Sequence, residues 1–307
     1  MPGRVRSPGP VRLDRLVKMR DLNRDELESL LARGQELFEG QPAQQFQGAV
    51  ATVFYENSTR TRNSFQQAGR RLGLETLQVG REGSSIQKGE TLEDTLHTLR
   101  ALGAVIAAVR TPEPGALEEL GDVGMPLVNA GDGWRQHPTQ GLADLLAVRM
   151  AGREIAGARL LIVGDILHSR VARSAADGFA MLGAEIMVAG PPTLLPPGLA
   201  QALGAEEVPL EAGLGEADVV MVLRLQHERM ERGYVPSLGE YRRTWGLTAE
   251  RLALLRRDAL LLHPGPQNRG VELDDEAIRD PRSLIHRQIA CGVAVRAALM
   301  EAMLDAR

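Results

Sequence analysis

The chain has one cysteine, Cys291, and only two lysines, Lys18 and Lys88, among its 36 basic residues. A single cysteine excludes an internal disulfide and any cysteine-based metal cluster, and it makes the cytoplasm the expected compartment. No stretch supplies the roughly 18 uncharged apolar residues that a membrane span needs. The formal net charge is −4, so there is no bulk basic field of the kind that draws nucleic acid. The opening segment MPGRVRSPGPVRLDRL is basic but has no apolar core; it does not read as a secretory leader and is expected to be a short flexible arm. None of the six histidines forms an H-x-x-x-H pair or groups with carboxylates at metal spacing. There is no G-x-S-x-G turn and no cysteine-nucleophile motif. The segment IVGDILHSRVARS follows a strand-like run but lacks the further glycines that let a pyrophosphate approach the backbone. Neither a metal nor a cofactor is expected.

What is present is an ordinary globular composition: 307 residues, 43% hydrophobic and 25% charged. NRDELESLLARGQELFEG begins with Asn23 as N-cap and Glu26 three residues on, a capping-box pattern ahead of apolar residues at helical spacing. Strand-like runs recur at GAVATVF, ETLQV, AVIAAV and MPLVN, separated by helical stretches. A second series, ARLLIVGD, AEIMVAG, ADVVMVL and ALLLHPG, follows HPTQGLADLLAVRM. This alternation predicts α/β architecture: two similar doubly wound parallel-sheet domains with a cleft between them, joined by helices. The domains are expected at residues 1–137 and 138–283, with the C-terminal helix, 284–307, packing back on the first.

The polar motifs fall just beyond the carboxyl ends of strands, where such folds bind ligands. ENSTRTRNSF follows GAVATVF at once. It reads either as an anion site, a helix N-terminus carrying hydroxyls and guanidinium groups, or as a polar cap before a solvated helix face. Arg110 closes AVIAAVR. NAGDGWRQHPTQGLAD places a turn-forming Asn-Ala-Gly-Asp-Gly ahead of His137 and Gln140, which share a helix face; a capping histidine and a solvated glutamine are the plain alternative. Arg170 opens a helix after IVGDILHS, Arg224, Gln226 and Arg229 follow a strand, and HPGPQNRG constrains the backbone around Gly265 with prolines. Lys88 stands in a Gly/Ser loop of a chain that writes arginine almost everywhere, either for a compact ammonium or by chance. Arginine, hydroxyl, amide and one histidine suit electrostatic stabilisation of anionic substrates.

STRTR, SSIQKGET, HPTQGLAD, HSRVARS, RLQHER and HPGPQNRG occur in the order found in carbamoyltransferases. The chain resembles that family from about Leu13 to Leu304, on its aspartate branch: the lysine loop and RLQHER are present, and HPGP stands where the ornithine branch has HCLP. The resemblance implies transfer of the carbamoyl group of carbamoyl phosphate to the α-amine of L-aspartate, giving N-carbamoyl-L-aspartate and phosphate in pyrimidine biosynthesis. The alternatives are another amino-acid acceptor or a catalytically silent scaffold. It also implies that the first domain binds carbamoyl phosphate and the second aspartate. By the same resemblance, Ser58, Thr59, Arg60, Thr61 and Arg110 hold the phosphate. His137 and Thr61 polarise the carbonyl, and Gln140 binds the carbamoyl NH₂. Arg170, Arg224 and Gln226 hold the aspartate carboxylates. Pro264, Gly265 and Pro266 present backbone to the substrates. Ser84 and Lys88 enter from a neighbouring subunit of a homotrimer, and Glu56 and Arg229 serve domain closure. The trimer is expected alone or in a larger assembly with regulatory chains or another pyrimidine-pathway enzyme.

Overall fold

A computed structural model describes residues 13–80, 89–226 and 234–306. The chain forms two compact units, residues 1–133 with 290–307, and residues 134–289. The divisions fall at Gly133/Trp134 and Ile289/Ala290.

Unit 1 holds a five-stranded parallel sheet of β1 (Arg15–Leu16), β2 (Ala49–Phe54), β3 (Glu75–Gly80), β4 (Ala104–Thr111) and β5 (Leu127–Asp132). The strand order is β1-β5-β4-β2-β3. All six residues of the β2 run AVATVF are buried, as a parallel strand covered on both faces requires. β3 lies at the edge and is partly exposed throughout. Val53, Leu96, Val109, Leu117 and Leu127 share one core cluster.

The helix Arg24–Phe38 begins with the expected capping box: the Asn23 side chain accepts from the Glu26 N–H at 2.9 Å, and Glu26 accepts from the Asn23 N–H at 2.9 Å. Two expectations need correction. The end of the supposed flexible arm is β1, paired Arg15 to Leu127 and Leu16 to Val128. Leu16 is buried, and the Arg15 guanidinium donates to the Leu117 and Leu120 carbonyls at 2.8 Å each. A two-residue strand is too short for periodicity to reveal. Asn-Ala-Gly-Asp does not turn either, but continues β5. Buried Asn129 donates to the Val17 carbonyl at 2.8 Å and to Asp132 at 3.0 Å, which satisfies polar residues inside a strand. The turn falls at Gly133, φ +47°, where a Cβ would stand 2.8 Å from the Pro112 carbonyl oxygen.

Unit 2 repeats the plan with β6 (Arg159–Val163), β7 (Glu185–Ala189), β8 (Glu206–Glu207), β9 (Val219–Val222) and β10 (Leu260–Leu262), in the parallel order β10-β9-β6-β7-β8. β8, unforeseen in the sequence, is a charged two-residue edge strand, a composition that discourages further pairing. The C-terminal helix, Ile285–Asp305, contributes its first residues to unit 2 and the rest to unit 1. In unit 1, Glu301 accepts a two-pronged bond from Arg33 at 2.8 Å on each arm, which raises the Arg33 pKa further. No helix among the described residues is long and apolar enough to cross a membrane.

Candidate active site

Each sheet reverses its strand order once, and ligands in doubly wound folds gather outside the carboxyl ends at that reversal. In unit 1 it falls between β2 and β4. β2 ends at Phe54, and the Thr59–Arg71 helix starts five residues later with Ser58 as N-cap. Ser58 makes no side-chain capping bond, and the helix has no acidic residue in its first turn. The positive end of the helix dipole is therefore left for an external anion. Thr59 and Arg60 are exposed and Thr61 is buried. Arg110 is level with Phe54 in the β2–β4 register, and its carbonyl accepts from the Tyr55 N–H at 2.9 Å. The sheet thus brings STRTR and Arg110 together. The Arg110 guanidinium donates to Glu56 at 3.1 Å, so Glu56, expected to serve closure, is paired within its own unit. Behind the turn, buried Arg296 of the C-terminal helix donates to Ser64 at 2.9 Å and lies 5.3 Å from the centre of the Phe65 ring, fixing the helix from below.

In unit 2 the reversal falls between β6 and β9, with β10 next to β9. Arg170 follows β6, Arg224 and Gln226 follow β9, and Pro264, Gly265 and Pro266 follow β10. Arg170 is the first residue of the Arg170–Met181 helix, whose cap, Ser169, accepts from the Ala172 N–H at 3.1 Å. Arg170 and His137 are buried, with 5% and 4% of their surface exposed, whereas Arg224 and Gln226 are half-buried. His137 caps the Pro138–Met150 helix with proline at the first position, the residue best suited to it. Gly265 has φ +63° and a cis bond to Pro266.

Buried polar groups tie these segments together. Gln140 donates to Asp144 at 2.7 Å, and Asp144 also accepts from Gln288 at 2.8 Å. Gln288 accepts from the His263 N–H at 3.0 Å. The Gly265 N–H donates to His263 Nδ1 at 2.9 Å, which puts the ring proton on Nε2, 3.4 Å from fully buried Glu272. Glu272 accepts from the Asn268 N–H at 2.5 Å, and the Asn268 amide donates to the Leu225 carbonyl at 3.1 Å. The Gln226 N–H donates to buried Asp165 at 3.3 Å, and Asp165 also accepts from the backbone and ring N–H groups of His168 at 3.1 and 2.9 Å. Tyr241 lies under this layer. Burial first, and the charges of Glu272 and Asp165 second, push its phenol far above the ordinary range.

The sequence motifs do not single out Asp144, Asp165, His263, Asn268, Glu272 or Gln288, which the fold links to these segments. Asp144 carried a signal, since it stands four residues after Gln140 on one helix; the others meet only through the fold. Ser84, Lys88 and Arg229 lie outside the described residues. Among those described, no group of three or more His, Cys, Asp or Glu side chains could hold a metal ion.

Two family models match in tandem. Residues 15–150 match the aspartate/ornithine carbamoyltransferase carbamoyl-P binding domain, and residues 156–303 match the corresponding Asp/Orn binding domain. The aspartate carbamoyltransferase catalytic subunit of Xanthomonas campestris pv. campestris is 50% identical over 263 residues, covering 83% of each chain. That of Corynebacterium efficiens is 41% identical over 302 residues, covering 94% of this chain and 97% of its own. The aspartate transcarbamoylase of Trypanosoma cruzi, solved with carbamoyl phosphate and aspartate, superimposes with a TM-score of 0.84 at 27% identity, covering 96% of this chain and 99% of that one.

Proposed function

The chain belongs to the aspartate/ornithine carbamoyltransferase family, and on that premise we propose that it transfers the carbamoyl group of carbamoyl phosphate to the α-amine of L-aspartate. The products are N-carbamoyl-L-aspartate and phosphate, made in the cytoplasm for pyrimidine biosynthesis. One observation carries the reading: the two polar motif sets stand at the strand-order reversals of two separate parallel sheets, one set rich in donors for a phosphate and the other in cations for carboxylates.

In unit 1 the phosphate accepts from the N-terminal N–H groups of the Thr59–Arg71 helix and from Ser58, Thr59, Arg60 and Thr61. Arg110, now on Glu56, exchanges that carboxylate for the phosphate dianion. Its charge then offsets the negative charge that grows as the phosphate departs.

In unit 2, Arg170 and Arg224 take the two carboxylates of aspartate, with Gln226 beside them. The Gln140 amide nitrogen is committed to Asp144, which leaves its oxygen to accept from the carbamoyl NH₂. The uncharged α-amine attacks the carbonyl carbon, and the C=O electron pair moves onto oxygen, where Thr61 and His137 donate to the oxyanion. The C–O bond to phosphate breaks, and the amine proton leaves with the phosphate. Pro264, Gly265 and Pro266 offer backbone to the substrates. Oxyanion donors of this kind are commonly worth about 100- to 1,000-fold in rate. We place Ser84 and Lys88 in the site of a neighbouring chain of a homotrimer.

The test is phosphate release from carbamoyl phosphate against a panel of amino acids. Aspartate alone should support turnover; turnover with ornithine, or with no amino acid tried, would overturn the reading.

A further inference from the structure

The polar chain of unit 2 runs from the HPTQ helix through the HPGPQN loop and the residues after β9 to the turn after β6. It is closed into a ring by contacts made one turn into the Arg170–Met181 helix. We propose that Arg173 is a positioning residue that closes this ring, fixing His137 and Arg170 relative to one another; the inference rests on the carbamoyl-transfer reading.

Arg173 follows Arg170 by three residues and so lies on the same helix face. Its guanidinium reaches two separate segments. Nη1 donates to the carbonyls of Trp134 at 3.1 Å, Ser169 at 3.0 Å and Ile166 at 3.4 Å, and Nη2 to that of Leu167 at 3.2 Å. Its carbon lies 5.1 Å from the centre of the Trp134 ring, although Trp134 is 47% exposed. The same helix holds the rest of the approach to His137. Ser174 Oγ accepts from the His137 N–H at 2.8 Å and donates to Gln136 at 2.6 Å, and the Gln136 amide donates to Asp177 at 3.2 Å. Residues 134, 136 and 137 are therefore gripped by the helix whose first residue is Arg170.

Burial pushes the Arg173 pKa down, and the charge of Asp165 opposes that shift, as fits a cation enclosed mainly by peptide dipoles. A planar fork with five donors can serve both segments at once, whereas a lysine ammonium is a single compact centre. Without Arg173, the turn that caps the Arg170 helix and the segment that delivers His137 lose their common anchor. Misplacement by about 1 Å at a reacting group can cost roughly 100-fold.

The test compares Arg173→Met, close in length, with Arg173→Lys, in the full chain. The readouts are steady-state kinetics, inorganic phosphate binding by calorimetry and amide hydrogen exchange. In Arg173→Met, kcat should fall about 10- to 100-fold and the aspartate KM should rise at least about fivefold, while phosphate affinity stays within about twofold of wild type. Exchange should quicken in both 134–137 and 166–169. Arg173→Lys should recover part of kcat but keep a raised aspartate KM. A folded Arg173→Met with an unchanged aspartate KM, or with kcat lowered only in proportion to its active fraction, would overturn the proposal. If Arg173→Met does not fold, Arg173→Lys decides, and wild-type kinetics and exchange in it would sink the idea. A wild-type enzyme silent with aspartate would fail the reaction assignment instead, and the exchange readout would still report on the anchor.

Discussion

In unit 1 the strand-order reversal is furnished by four consecutive residues, Ser58 to Thr61, with Arg110 level with the end of the preceding strand. In unit 2 the equivalent edge draws on three strand ends and a helix cap, linked by buried side chains from Asp144 to Gln288. The first arrangement is local: a helix terminus binds an anion wherever the chain turns correctly. The second depends on tertiary packing, because two carboxylates and an amine must be met from several directions. A site of the first kind should survive damage to its surroundings. One of the second kind should fail when any distant support is removed.

The largest effect expected concerns how complete one chain is. His137→Ala and Lys88→Ala should each be nearly inactive. If Lys88 serves a neighbour, mixing the two before reassembly should return about a quarter of wild-type activity, because every mixed trimer contains one site built from unmutated residues. No recovery at any ratio would remove the shared site. Next, Asp165→Ala strips the acceptor from three N–H donors and should destabilise unit 2 by about 3 kcal/mol. It should abolish acceptor binding, while calorimetric phosphate binding in unit 1 persists. Loss of both together would erase the contrast between the units.

A smaller effect is expected at Glu56. Glu56→Gln weakens the hold on Arg110, a pair with side chains 15% and 19% exposed, and should tighten phosphate binding about three- to fivefold. Weaker phosphate binding would show that Glu56 orients Arg110 rather than competing for it. The smallest is a pH effect on stability in unit 2. The Arg282 side chain holds the Asp280 carboxyl below its ordinary value, with partial burial opposing. A depressed folded pKa contributes stability above the ordinary carboxylate value, about 3.9, which is lost as the pH falls through the folded value. Asp280→Asn should therefore lower stability by roughly 0.5–1 kcal/mol at neutral pH, and the gap should close in acid denaturation below about pH 4. A gap that widened in acid would contradict the assignment.

The same contrast explains what the sequence revealed. AVATVF, LLIV and VVMV are legible because a strand covered on both faces reads as a near-continuous apolar run. STRTR is legible because its chemistry is contiguous. β1 and β8 are not, since two residues carry no period. Nor is the bond of Gln288 to Asp144, 144 residues away, or the grip of Arg173 on Trp134, since both exist only once strands and helices have packed. Gly133 rather than Asn129 marks the turn after β5, because buried partners let Asn129 and Asp132 stay in the strand.

The central claim, that the two units divide the substrates, is tested most directly by calorimetry on Arg224→Ala with inorganic phosphate and then, at saturating phosphate, with succinate as a dicarboxylate lacking the reactive amine. Loss of one charge-assisted carboxylate contact should weaken succinate by about 30-fold or more, while phosphate affinity stays within about twofold of wild type. Equal weakening of both ligands would contradict the account.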